Sequence, residues 1–241
     1  MSYDTSLSIF ANDGSISQVS YAYEAAKKGG LSVGLVGKDF VLLAAERKSV
    51  PKLQDSRTIK KINLVDEHIF MSFSGLISDS RFLIDIARLE SQSYRFSLDS
   101  TPSLDYIVRQ VAFKMQDYTQ KPGVRPFGLC CLLGGFNKNN EPSLFSTEPS
   151  GFFSQWRSTA IGKNADKVKE YLIENYKDNL EYEEGLYILI ESMLEYVESG
   201  SKNIEVAIMR KGEVMEGVKD EEVDRISKLI EEKKKEKGNK N

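Results

Sequence analysis

The sequence predicts an α+β protein: a four-layer αββα sandwich, with two antiparallel sheets stacked face to face and helices covering both outer faces. Three observations point there. Strand-like segments come in groups, helical segments come in pairs between those groups, and no linker rich in Pro, Gly or Ser divides the chain. One domain spanning residues 1–241 is expected, long enough to bury a substantial core.

Each element has its own signal. Thr5–Phe10 alternate apolar and polar, as a short extended segment does. Asn12-Asp13-Gly14 is a turn signal, and Ser15 is the expected N-cap of a helix. Ile16, Val19, Tyr23 and Ala26 form that helix's apolar face; Lys27 and Lys28 suit its C-terminal dipole and Gly29 ends it. Strands are expected over Leu31–Val36 and Phe40–Ala45, joined by Gly37-Lys38-Asp39, and again over Lys61–Val65 and Ile69–Ser74. A helix over Ser78–Tyr94 would bury Leu83, Ile86, Ala87 and Tyr94. A second, over Ser103–Tyr118, follows Pro102 and would bury Leu104, Ile107, Val108, Val111 and Met115.

The continuous apolar run Phe127–Leu133 reads as a buried strand ended by Gly134-Gly135. Strands at Ser143–Thr147 and Phe153–Ile161 follow, then helices at Ala165–Tyr176 and Glu183–Glu198. Ile204–Arg210 and a short piece near Val214 complete the strands, and Asp220 can cap a last helix. The polar, lysine-rich tail Glu231–Asn241 is expected to pass from a frayed helix end into disorder.

Composition narrows the function. The chain is 40% hydrophobic and 29% charged, ordinary for a soluble globular protein. A net charge of −3 supplies no global basic field, which argues against nucleic acid as the main partner. Cys130 and Cys131 are adjacent in an apolar run; neighbours on a strand point to opposite faces, so they are expected to be small buried residues without a disulfide. With no disulfide framework, no leader pattern and no apolar run near the ~18 residues that span a bilayer, the chain reads as intracellular and without a membrane partner.

Catalytic signals are sparse. The single histidine, His68, lies in a strand-like segment without triad or zinc-site neighbours, and is expected to be structural. No phosphate-cradling loop and no metal-ligand spacing is present, so neither cofactor nor metal is implied. One enzyme class shares the expected architecture: hydrolases whose free N-terminal amine activates an adjacent Thr, Ser or Cys. Ser32, near the start of the first core strand, is the candidate, and an autoprocessed hydrolase using Ser32 is the alternative reading. But Leu31 precedes it and a coherent turn and helix fill the upstream residues, so Ser32 has no free amine without cleavage.

Four segments together resemble the α-type subunits of the 20S proteasome, whose fold is that of the N-terminal-nucleophile hydrolases. Within Phe10–Gly29, Asp13, Gly14, Ile16, Gln18, Val19, Tyr21, Ala22, Glu24 and Ala25 match the N-terminal signature of that family, and Tyr3-Asp4 match its gate dipeptide. Gly75-Leu76-Ile77-Ser78-Asp79-Ser80-Arg81 resembles a second family segment. Tyr118-Thr119-Gln120 with Gly123-Val124-Arg125-Pro126-Phe127-Gly128 resembles a third. Glu148-Pro149-Ser150-Gly151 through Trp156, and Ala160-Ile161-Gly162, complete the series. Within the family the chain is most like the eukaryotic subunit at the fourth α-ring position. It departs at Thr5, Asn12 and Ser20, where arginine, proline and glutamate are usual.

The resemblance implies a non-catalytic component of a seven-membered outer ring. Its partners would be other α-type subunits, β-type subunits that carry the active sites, and a regulatory particle or other activators. The role implied is gating of substrate entry in ubiquitin-dependent protein degradation, in cytoplasm and nucleus. Carried over by position, the gating cluster is Tyr3, Asp4, Asn12 and Tyr21. Lys61 would receive an activator's C-terminal carboxylate, as a point charge suits.

Overall fold

In the computed structural model, residues 9–47, 53, 60–197 and 203–238 are described. In chain order, α1 (Ser17–Lys27) is followed by β1 (Ser32–Val36), β2 (Phe40–Glu46), β3 (Ile62–Asp66) and β4 (Ile69–Gly75). Next come α2 (Ile77–Leu98), α3 (Leu104–Gln120), β5 (Leu129–Phe136), β6 (Pro142–Thr147), β7 (Phe153–Trp156) and β8 (Ser158–Ile161). The chain ends with α4 (Ala165–Asn175), α5 (Tyr182–Leu194), β9 (Ile204–Arg210), β10 (Glu216–Gly217) and α6 (Asp220–Gly238).

The strands form two five-stranded antiparallel sheets, ordered β10-β9-β2-β1-β8 and β3-β4-β5-β6-β7. The pleat of β2 explains the layers. Val41, Leu43 and Ala45 point between the sheets, onto Phe70, Leu132 and Leu144. Leu42 and Ala44 point the other way, under α4, α5 and α6. The second sheet does the same: Met71, Phe73, Cys131 and Leu133 pack beneath α2 and α3. Both faces of each central strand are therefore dry, which is why these strands read as unbroken apolar runs. The expected αββα sandwich is the observed one.

Several boundaries differ from expectation for physical reasons. Phe153–Ile161 is not one strand: β7 pairs with β6 and β8 pairs with β1, so the chain changes sheets at Arg157. The Arg157 carbonyl accepts the Val36 N–H at 2.8 Å across that corner. A two-residue period looks the same on both sides of such a corner. Ser15 does not cap α1; its N–H and hydroxyl both donate to Asp13 Oδ1, at 2.9 and 2.8 Å, and close the preceding turn. Ser103 does cap α3, accepting the Tyr106 N–H. The short strand expected near Val214 lies at Glu216–Gly217, and α6 is helical as far as Gly238. Thr5–Ser8 lie outside the described residues, and Ile9 and Phe10 are exposed and irregular.

Gly134 and Gly135 do not end β5, which runs through them to Phe136. A Cβ on Gly134 would lie 2.7 Å from the Phe70 ring and 2.9 Å from Val41 Cγ1. Gly134→Ala is expected to destabilise the chain by about 1–3 kcal/mol through overpacking. Denaturant unfolding would read this as a lower midpoint at unchanged slope; a wild-type midpoint would refute the steric account.

Candidate functional site

Ser32 opens β1 and is fully buried. Its hydroxyl donates to the Phe73 carbonyl and accepts from Ser72 Oγ, each at 3.1 Å. The preceding Leu31 is held in the same ladder: its N–H donates to Glu46 Oε2 at 3.0 Å, and its carbonyl accepts the Glu46 N–H at 2.8 Å. The Leu31–Ser32 peptide thus lies inside a hydrogen-bonded strand entry. Ahead of it, α1 buries Ala22 and Ala26 across the strand ends, where the Ala26 carbonyl accepts the Ser74 hydroxyl. A Cβ on Gly29 would collide with Gly75 and Ser74, so the helix exit passes as close as a backbone can.

Lys61 stands beside this strand entry. It is only 6% exposed, not an ordinary surface lysine at a strand end. Its ammonium comes up against Gly30, where the Glu46 carboxylate also stands. Its own N–H donates to Glu205 Oε2 at 3.1 Å. Two carboxylates, Glu46 and Glu205, therefore accompany this buried lysine at this end of the sandwich.

The gate residues are only partly in view. Tyr3 and Asp4, like Thr5, lie outside the described residues. Asn12 is exposed on the turn, which closes through the Gly14 N–H on the Ala11 carbonyl at 2.9 Å with Gly14 at φ +80°. Tyr21 projects from α1 and is 61% exposed. No hydrogen bond joins Asn12 to Tyr21 among the described residues.

His68 sits in the β3–β4 turn rather than within a strand. Its Nε2 lies 2.7 Å from the Pro102 carbonyl, and its Nδ1 is 4.0 Å from Asp66 Oδ2. Asp66 also accepts from the Ser91 hydroxyl and from Nε and Nη2 of Arg95. Burial alone would raise the Asp66 carboxyl, but the Arg95 and Ser91 bonds outweigh it and hold it below the usual range. Cys130 and Cys131 are both buried free thiols on opposite faces of β5, as expected. Burial pushes Cys130 up to about 12 and raises Cys131 further, so neither is a ready thiolate.

Sequence reasoning missed a partnership. Arg125, in the third of the motif segments, forks onto Asp79 in the first turn of α2, at 2.6 and 2.8 Å. Asp79 also accepts the Gly128 N–H at 3.1 Å. Two segments 46 residues apart thus meet in one bidentate pair. Spacing carries no trace of it; only complementary charge in two motif-like segments could have hinted at it. Among the described residues, no three His, Cys, Asp or Glu side chains group to hold a metal, and no helix is long and apolar enough to cross a membrane.

Comparison with known proteins places this geometry. The model of the proteasome subunit family matches residues 26–209. Proteasome subunit alpha type-7 of Dictyostelium discoideum is 43% identical over 96% of this chain and 92% of its own. Proteasome subunit alpha type-7-A of Arabidopsis thaliana is 46% identical over 96% and 93%. The alpha type-7 subunit of Trypanosoma brucei brucei is 45% identical over 88% and 86%.

The Asp79 clamp has a measurable signature. Burial raises the Asp79 carboxyl, but the Arg125 and Gly128 bonds outweigh burial and hold it below its ordinary value. A depressed folded-state pKa contributes stability above the unfolded value near 3.9, lost as pH falls through the folded one. Asp79→Asn should cost about 2 kcal/mol at neutral pH, the scale of hydrogen bonds to a charged group. The deficit should shrink as pH drops below about 4. Denaturant melts across pH check both, and a pH-independent deficit would contradict the ion-pair account.

Proposed function

Since the chain belongs to the proteasome subunit family, among its α-type members, we propose that it is a non-catalytic subunit of the outer ring of the 20S core particle. In this reading it occupies the fourth ring position, packs against α- and β-type neighbours, and gates substrate entry for ubiquitin-dependent degradation. The observation that carries the reading is Ser32: the residue that a hydrolase of this fold would use as nucleophile is internal, fully buried and preceded by a packed helix.

A second observation favours assembly. Phe82, Leu89 and Phe96 recur every seven residues along the outer face of α2, and are 45%, 65% and 93% exposed. Phe113 on α3 is also exposed. Such a patch is costly on a lone protein and ordinary at an interface. Copurification from its source with native mass analysis tests the reading. Co-migration with other proteasome chains, and an intact chain mass retaining residues 1–31, are expected. A lone monomer sinks the assembly reading; a chain starting at Ser32 would revive the hydrolase.

Gating and activator docking follow as finer proposals. Asparagine at position 12 leaves free a φ that proline would pre-set, so the turn is less rigid and this subunit contributes less to holding the gate open. Lys61, in a buried setting against Gly30, would offer its ammonium to an activator's terminal carboxylate. In assembled particles, Asn12→Pro should raise peptide hydrolysis and Lys61→Ala should reduce stimulation by an activator. Rates equal to wild type would count against each assignment. Residence in cytoplasm and nucleus is proposed with the same reading, and subcellular fractionation checks it.

A further inference from the structure

The strands β7 and β8 are the terminal strands of their respective sheets, and they are joined at Arg157. Inside that corner lies a cleft of about 360 Å³, bounded by α1 on one side and the start of α4 on the other. The volume is at the small end of ligand-sized cavities. Its wall is apolar where Cys130, Ala160, Ile161 and the Trp156 indole meet. Among its charged groups cations outnumber anions: Lys27 from α1, Lys163 from the loop, and Lys167 and Lys169 from α4, against Glu148 and Asp166.

The fields of Glu148, Lys169 and Lys27 all reach the buried Cys130 thiol. The indole is fixed at the wall, its Nε1 donating to Ser146 Oγ at 2.8 Å. Two of the four lysines have weak local partners: Lys27 is 4.0 Å from Glu24, and Lys169 is 4.0 Å from Asp166. Exposed pairs at that distance hold little energy, so both ammonium groups can turn to a better acceptor. α4 also begins here without a side-chain cap, and its dipole adds positive potential of the same sign.

We infer that the β7–β8 corner cleft is a docking site for an acidic side chain on an extended segment of a partner polypeptide. The carboxylate would lie between Lys27 and Lys169, and its aliphatic stem against Trp156 and Ile161. A glutamate suits this pairing of an apolar wall with a cationic mouth. A multiply charged phosphate suits it less, because Glu148 and Asp166 stand at the same rim. The terminal strands on either side offer backbone to an extended chain, in the manner of strand addition. Nothing in this assignment depends on the gate or on Lys61.

Trp156 is the chain's one tryptophan, so its fluorescence reports on the cleft directly. The full-length chain would be titrated with a short blocked peptide bearing two glutamates, with its glutamine counterpart, and with inorganic phosphate. The expected result is a saturable change with the glutamate peptide alone, weakened by salt. Lys27→Ala with Lys169→Ala should weaken binding about tenfold, a loss of ~1.4 kcal/mol. Lys38→Ala with Lys211→Ala, exposed lysines elsewhere, should leave it unchanged and controls for bulk charge. The inference is overturned by any of four results: no saturable change, an equal response to the glutamine peptide, a response to phosphate alone, or an equal loss in the control pair.

Discussion

Close approach of two sheets is the constraint on which the rest of this structure depends. Gly34 on β1 and Gly134 on β5 have no Cβ, and at each a Cβ would run into the opposite layer: Leu144 at the first, Val41 at the second. With that gap closed, every central strand is buried on both sides, and each sheet needs a helical layer outside. Besides the outer faces of its helices, the sandwich then leaves its ends and its corners as places for chemistry or partners. α1 lies across one end, over Ser74 and Gly75. The β7–β8 corner opens beside it.

The helix α2 shows how one element serves two purposes. Its inner face is tied to the sheet near both ends. Arg125 and Gly128 hold Asp79 in its first turn, while Ser91 and Arg95 in its last half reach Asp66 at the end of β3. Buried carboxylates without such donors would be expensive, so each is satisfied by several at once. The outer face carries Leu89 and Phe96 into solvent, with Phe82 half-exposed against Tyr118 and Phe127. Pinning the inner face fixes where that apolar stripe points, as a subunit that must meet its neighbours in one orientation requires.

The start of β1 also shows where this scaffold differs from what an N-terminal-nucleophile hydrolase requires. What such an enzyme needs at the start of β1 is a free amine beside a hydroxyl. Here the hydroxyl of Ser32 is used internally, between Phe73 and Ser72, and the amide before it is locked onto Glu46. The roles proposed above fall instead on surfaces: the turn at Asn12, the end at Lys61, the α2 stripe and the corner cleft.

Element types, the alternation of strand groups with helix pairs, and hence the four-layer class are legible in the residues alone, because period and punctuation are local properties of the chain. So are the internal position of Ser32 and the order of the family motifs. Only the tertiary structure decided that Phe153–Ile161 splits between two sheets, since both halves have the same period. It alone decided that Gly134 and Gly135 lie inside a strand, because the reason is a phenylalanine from another strand. Likewise it paired Arg125 with Asp79 and buried Lys61 beside Glu46. Each of these rests on residues distant in sequence, and distance in sequence carries no periodic signal.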